Sequence, residues 1–173
     1  MTKIKITLVS FVVLIIGLSV YYFYPGEKLP KGIKIDKMIV YKSKRQLLAY
    51  SNDELIKTYK IVIGRQPIGA KQYQGDHKTP EGIYYINDKN PNSVCYKNVG
   101  ISYPNIKDIE KARALGKPTG GDIKIHGLPN RLGFIGKFFS RVDWTNGCIA
   151  VTDKEMEELY HAIKIGAQIE IKP

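Results

Sequence analysis

The chain is poor in cysteine and lacks the groupings that give cysteine a structural role. Two occur in 173 residues, Cys95 and Cys148. That is too few for a disulfide framework, and no CxxC or His–Cys cluster stands at metal-binding spacing. No metal or organic cofactor is expected. A single Cys95–Cys148 bridge is the one pairing open to the chain, and it would silence either thiol as a nucleophile. Glycine-rich stretches occur, but none has P-loop spacing followed by a helix start, which excludes that route to phosphate binding. A basic block is missing too. Net charge is +11, from 27 Lys and Arg against 16 Asp and Glu, yet the lysines are spread through strands and loops. Such a distribution suits a solvated basic surface or an anionic neighbour. No nucleic-acid partner is expected, because no strand pair interleaves aromatic with basic residues.

Charge is absent from Ile6 to Tyr24, ITLVSFVVLIIGLSVYYFY. A stretch of this length approaches the ~20 residues that cross a bilayer as a helix. The aromatics Tyr21, Tyr22, Phe23 and Tyr24 suit an interface. No small-x-small cleavage site follows, so the reading is a retained single-pass anchor over 6–24 and not a removed signal peptide. Lysines flank both sides, so charge alone does not orient it. Residues 1–5 would form a tip on one side and residues 25–36, which begin PGEKLPKG, a linker.

The domain then runs over 37–173, long enough for one real core. Lys37 to Lys42, Leu47 to Tyr50 and Leu55 to Ile63 read as strands rich in β-branched and aromatic residues, joined by short turns. Two hairpins in succession argue for an antiparallel meander and against βαβ units. Ile83 to Ile86 and VGISY, 99–103, add strands. Pro104 to Leu115 has a modest helical pattern. Leu128 to Ser140 is a loop or short helix. Asp153 is the expected N-cap of a helix over Lys154 to Ile163, Gly166 its end, and Gln168 to Lys172 a closing strand. The fold class is therefore mostly β, or α+β, with short helices.

Chemistry concentrates in DWTNGCIAVT, 143–152. Cys148 follows a glycine, which lets the chain turn sharply and brings main-chain N–H groups near a bound carbonyl. Its natural partner is His126 in DIKIHGLP, at the end of a strand-like run. Thiol and imidazole are the minimal kit for acyl transfer: the base takes the proton and the sulfur attacks. Each residue alone is weak evidence, since cysteine packs most often as a small buried hydrophobe. A helix beginning soon after Cys148 is expected to favour thiolate through its N-terminal partial charge. His77 and His161 read as exposed.

Taken in order, VYKSKRQLLAY, LIKTYKIVIG, GDHKTPEGIYYI, NPNS, ISYPN, GGDIKIHGLPN and DWTNGCIAVT resemble the L,D-transpeptidase catalytic domain family, the YkuD-like fold. The resemblance covers about Lys37 to Pro173 and implies a β-sandwich-like domain. It implies that Cys148 and His126 are the catalytic pair. It places Gly127 as the carbonyl that orients the imidazole, and Asn146, Gly147 and Cys148 as main-chain donors to the oxyanion. Thr145 would brace the turn. The implied partners are peptidoglycan stem peptides, which puts the domain on the extracytoplasmic (periplasmic or wall) side; the N-terminal helix adds the cytoplasmic membrane as a partner, and a monomer is expected. One departure is Ala150, where many members carry Arg or Asn. Together with Asp143–Trp144 before the threonine, it resembles a branch that includes enzymes cleaving peptidoglycan attachments. Transferase and hydrolase therefore both stand, and a catalytically idle wall-binding module is the third reading.

Overall fold

The computed structural model describes residues 2–23 and 28–173. Helix α1 spans Thr2–Phe23, and the apolar side chains between Ile6 and Val20 are exposed. Tyr24 and the linker residues Pro25, Gly26 and Glu27 lie outside the described residues, as do the side chains of Tyr21, Tyr22 and Phe23. Among the described residues no helix is long and apolar enough to cross a membrane.

The domain is built on one eight-stranded mixed sheet. In chain order the strands are β1 (Ile35–Tyr41), β2 (Gln46–Ser51), β3 (Glu54–Lys60), β4 (Gly82–Ser93), β5 (Tyr96–Ile101), β6 (Lys124–His126), β7 (Ile149–Ala150) and β8 (Ile163–Lys172). Across the sheet they lie in the order β3-β2-β1-β8-β4-β5-β6-β7. The expected meander is β1-β2-β3, antiparallel throughout. The last strand, β8, then inserts beside β1 in parallel.

The sandwich expectation is corrected by β4. Its first residues, Gly82 to Tyr85, pair with β8, while Ile86 to Ser93 pair with β5, with register shifts between Ile86 and Asp88 and between Asn90 and Ser93. One long strand thus serves both halves, and a shift of this kind bends a strand. Beyond β3 the chain returns to the far edge. Val62 exchanges both main-chain hydrogen bonds with Ala150, at 2.9 and 2.8 Å. The sheet is therefore half closed on itself, which brings the 61–65 segment against the stretch that holds Cys148.

Alternation makes the core. In β2 every second residue is buried, and Leu47 and Ala49 join Met38, Val40, Ile169 and Ile171 inside. Helix α3 (Asp153–Ala162) lays Met156 and Leu159, both fully buried, against β5 and β6. Helix α2 (Ile106–Ala114) is capped by Asn105 and Asp108. A 3-10 segment, Gly133–Arg141, is broken at Gly136.

Two boundaries move. The N-cap of α3 is Thr152, whose hydroxyl and Glu155 form a capping box. Asp153 is the first helical residue, and its carboxylate accepts the Leu128 N–H at 2.8 Å. Gly166 does not end the helix: β8 begins at Ile163, and Gly166, at φ +83°, sits inside it where the register with β1 slips. The spacing of apolar residues carries no mark of such a bulge.

Candidate functional site

Strands β6 and β7 position the chemistry. They pair in parallel, with Ile125 opposite Ile149 and His126 opposite Ala150. One step back, the register sets Lys124 beside Cys148. The thiol lies 3.5 Å from the Asp122 carbonyl. Paired residues of parallel strands share a face, and alternate residues of a strand do too. Cys148 and His126 therefore lie on the same side of the sheet, one diagonal step apart.

His126 is 7% exposed. Its Nδ1 is 2.7 Å from the Gly127 carbonyl, which can only accept, so Nδ1 carries the proton and Nε2 is left with its lone pair. Trp144 meets the ring edge-on at 5.7 Å, and Phe139 in turn packs on Trp144 at 5.4 Å. Burial lowers the imidazole pKa, and the Lys124 charge adds to that; the Gly127 hydrogen bond opposes them.

Burial likewise pushes the Cys148 thiol up, against the opposing pull of the Lys124 N–H and ammonium. The expected help from a helix N-terminus is not what the structure provides. β7 and Val151 separate Cys148 from α3, whose first turn is already satisfied by Thr152 and Glu155. Both shifts favour thiol and neutral imidazole over the ion pair. Cys95 is also a free thiol, raised by burial and by Asp153.

The turn before Cys148 is braced from within and without. The Thr145 hydroxyl donates to the Cys148 carbonyl at 2.7 Å and accepts the Gly147 N–H at 3.2 Å. That N–H is therefore engaged in the turn. Asn146 is exposed, and its side-chain oxygen accepts from the Arg65 guanidinium. Thr145 also donates its N–H to the Ile63 carbonyl, and its own carbonyl accepts the Arg65 N–H at 3.0 Å.

Sequence reasoning missed a clamp two residues before Thr145. Both Asp143 oxygens accept from Arg45: Nε at 3.1 and 2.9 Å, Nη2 at 2.5 Å. Asp143 also takes the Ile63 N–H at 3.1 Å. Arg45 sits in the β1–β2 turn at φ +53°, 98 positions away. Nothing local signals the pair, although Asp143 lies in the stretch already singled out. Paired, charge-assisted hydrogen bonds of this kind are stronger and more directional than neutral ones. A double-mutant cycle of Arg45→Ala and Asp143→Ala, read by denaturant unfolding, should return a coupling of about 1–3 kcal/mol. Additive losses would show the contact to be idle.

His77 is half-buried, not exposed: it sits at φ +55° with Nδ1 buried and unpartnered. His161 is exposed as expected and lies 3.0 Å from Glu157. Among the described residues no three His, Cys, Asp or Glu side chains are grouped to hold a metal.

A cysteine thus stands on a glycine turn, on the same sheet face as a strand-end histidine whose tautomer is fixed by a carbonyl. The particular family follows from comparison: residues 35–171 match the L,D-transpeptidase catalytic domain, and the chain belongs to that family. YafK of Escherichia coli (strain K12) is 31% identical over 130 residues, covering 72% of this chain and 45% of its own. The chain thus spans about half the length of the curated relatives it matches. The helical cell shape determining protein Pgp2 from Campylobacter jejuni superposes with a TM-score of 0.59 at 24% identity, over 89% of this chain and 54% of that one. An L,D-transpeptidase from Xylanimonas cellulosilytica gives 0.52 at 14%, over 85% and 65%. At these identities the two structures establish the fold.

Proposed function

We propose that this domain is a cysteine acyltransferase acting on peptidoglycan stem peptides. The observation that carries the reading is the His126 ring, its Nδ1 tied to Gly127, on the same sheet face as Cys148 one strand away. His126 Nε2 takes the thiol proton as the sulfur attacks the carbonyl before a terminal D-residue. The oxyanion is held by the main-chain N–H groups of Cys148 and Asn146, since that of Gly147 serves the turn. Collapse breaks the peptide bond, and His126 returns its proton to the departing amine. The thioester then yields to an amine of a neighbouring stem, whose proton His126 accepts, and the thiol is restored. Water in place of that amine makes the enzyme a hydrolase.

From its sequence, the uncharged stretch 6–24, part of which lies outside the described residues, is assigned as a membrane anchor, with its N-terminus inside and the domain on the outer side, where the polymer lies. The domain acts as a monomer without a cofactor. The likeness to the helical cell shape determining protein Pgp2 makes cell shape the phenotype to examine on deletion.

The test is incubation of the detergent-solubilised full chain with purified peptidoglycan, followed by muropeptide analysis. New cross-links are expected. Trimmed stems or released attachments would assign hydrolysis. An unchanged muropeptide profile would refute the reading.

A further inference from the structure

Lys124 has no part in the scheme above, yet it occupies the position beside the sulfur. The β6–β7 register sets it next to Cys148, and its place two residues before His126 on one strand puts its side chain on the His126 face. Three groups thus share that face: imidazole, thiol and ammonium. The lysine charge is felt by both Cys148 and His126. Its ion pair is loose. Nζ lies 3.5 Å from the Asp122 carboxylate, which is 92% exposed, while the lysine side chain is 31% exposed. Contrast Lys42, bound at 2.7 Å to Glu81, and Lys71, bound at 2.9 Å to Asp76, both nearly sealed from solvent. Those two hold the framework together. Lys124 can change partners at little cost, because rim ion pairs are weak.

We infer that Lys124 binds the terminal carboxylate of the donor peptide and so selects stems whose scissile bond is followed by a single residue. The inference rests on the proposed function. With the scissile carbonyl on the sulfur, the carboxylate of the next residue falls roughly 3–4 Å further on, one residue's length of chain. A lysine stem covers that distance, and the Asp122 carboxylate would be displaced by the substrate's. A longer stem would bring a neutral amide to the same place. An ammonium recognises a carboxylate as a point charge and loses that recognition when the charge is capped.

The experiment compares two synthetic stem tetrapeptides, one with a free terminal carboxylate and one with a C-terminal amide, as substrates of the full chain. The wild-type kcat/KM should favour the free acid by about tenfold or more. In Lys124→Met the preference should fall to near unity, through a KM rise confined mainly to the free acid, and Lys124→Arg should restore most of it. A wild type indifferent to the cap, or a Lys124→Met enzyme that keeps the wild-type ratio, would overturn the assignment. Turnover of neither peptide by a wild type that also leaves peptidoglycan unchanged would instead remove the function on which it rests.

Discussion

Cys148→Ala is expected to abolish turnover of peptidoglycan stems, by at least ~10⁴-fold, because no other group in the scheme forms the acyl bond. His126→Gln should cost on the order of 10²–10⁴, the usual worth of a positioned proton acceptor. Both variants should fold, since neither side chain is part of the apolar core. The pH profile separates the proposed scheme from one that begins with a preformed thiolate. His126 must be neutral to accept a proton, and its pKa is lowered by burial. Activity should therefore survive below the ordinary imidazole value of about 6.5 and fall only as pH drops through the lowered one. On the alkaline side the thiol, raised by burial, keeps its proton beyond the ordinary value of about 8.5. Above its pKa the ring enters the reaction with no proton to hand to the leaving amine, and the rate declines. The two values belong to the interacting pair and are to be read as such. Alkylation by iodoacetamide should be slow at neutral pH and climb steadily with pH, levelling only above the ordinary thiol value of about 8.5. Fast, pH-independent alkylation at pH 6 would show an ion pair and sink the neutral-pair scheme. A carbapenem should add its mass to the wild type and not to Cys148→Ala.

Much of this site lies in short stretches, which is why it is legible without coordinates. Gly127 follows His126 directly, and its carbonyl meets the ring because of that adjacency. Thr145, Gly147 and Cys148 close one turn among themselves. The three hairpin strands show in the alternation of β-branched residues. What was not legible depends on register and on long-range return of the chain. The hydrophobic pattern does not reveal that β8 would insert beside β1, that β4 would bend to serve two halves, or that Arg45 would reach Asp143. The thiol's environment was misjudged for a local reason. A two-residue strand intervenes before α3, and it gives Cys148 a neighbour on β6 in place of a helix terminus. That substitution is also what introduces Lys124.

Gly147→Ala is the other change with a large expected effect, and it acts through the backbone. Gly147 adopts φ +130°, a conformation that side chains rarely take and that costs roughly 1–3 kcal/mol when forced. A Cβ there would also stand 2.6 Å from the Lys78 carbonyl oxygen and 3.1 Å from Ile123 Cδ1. The isoleucine tip can give way; the Lys78 peptide is held on both sides. Its N–H is bound by the Asp76 carboxylate at 3.1 Å, and the next residue, Thr79, accepts the Gly64 N–H at 2.9 Å. Asp76 is itself fixed by Lys71 and by the N–H groups of Gln72 and Tyr73, which hold its carboxyl below the usual range. The displacement must therefore be taken up by the turn that carries Cys148. A shift approaching 1 Å at the attacking atom is enough to lose about 10² in rate. Gly147→Ala should lower kcat by about that factor and bring Tm down by roughly 5–10 °C, on the scale expected for a loss of ~3 kcal/mol in a chain of this size. Gly121→Ala is the matched control, because a Cβ there meets nothing within 4 Å and needs no unusual backbone. A Gly147→Ala enzyme with native turnover would mean that the geometry of the 145–148 turn does not set the position of the sulfur.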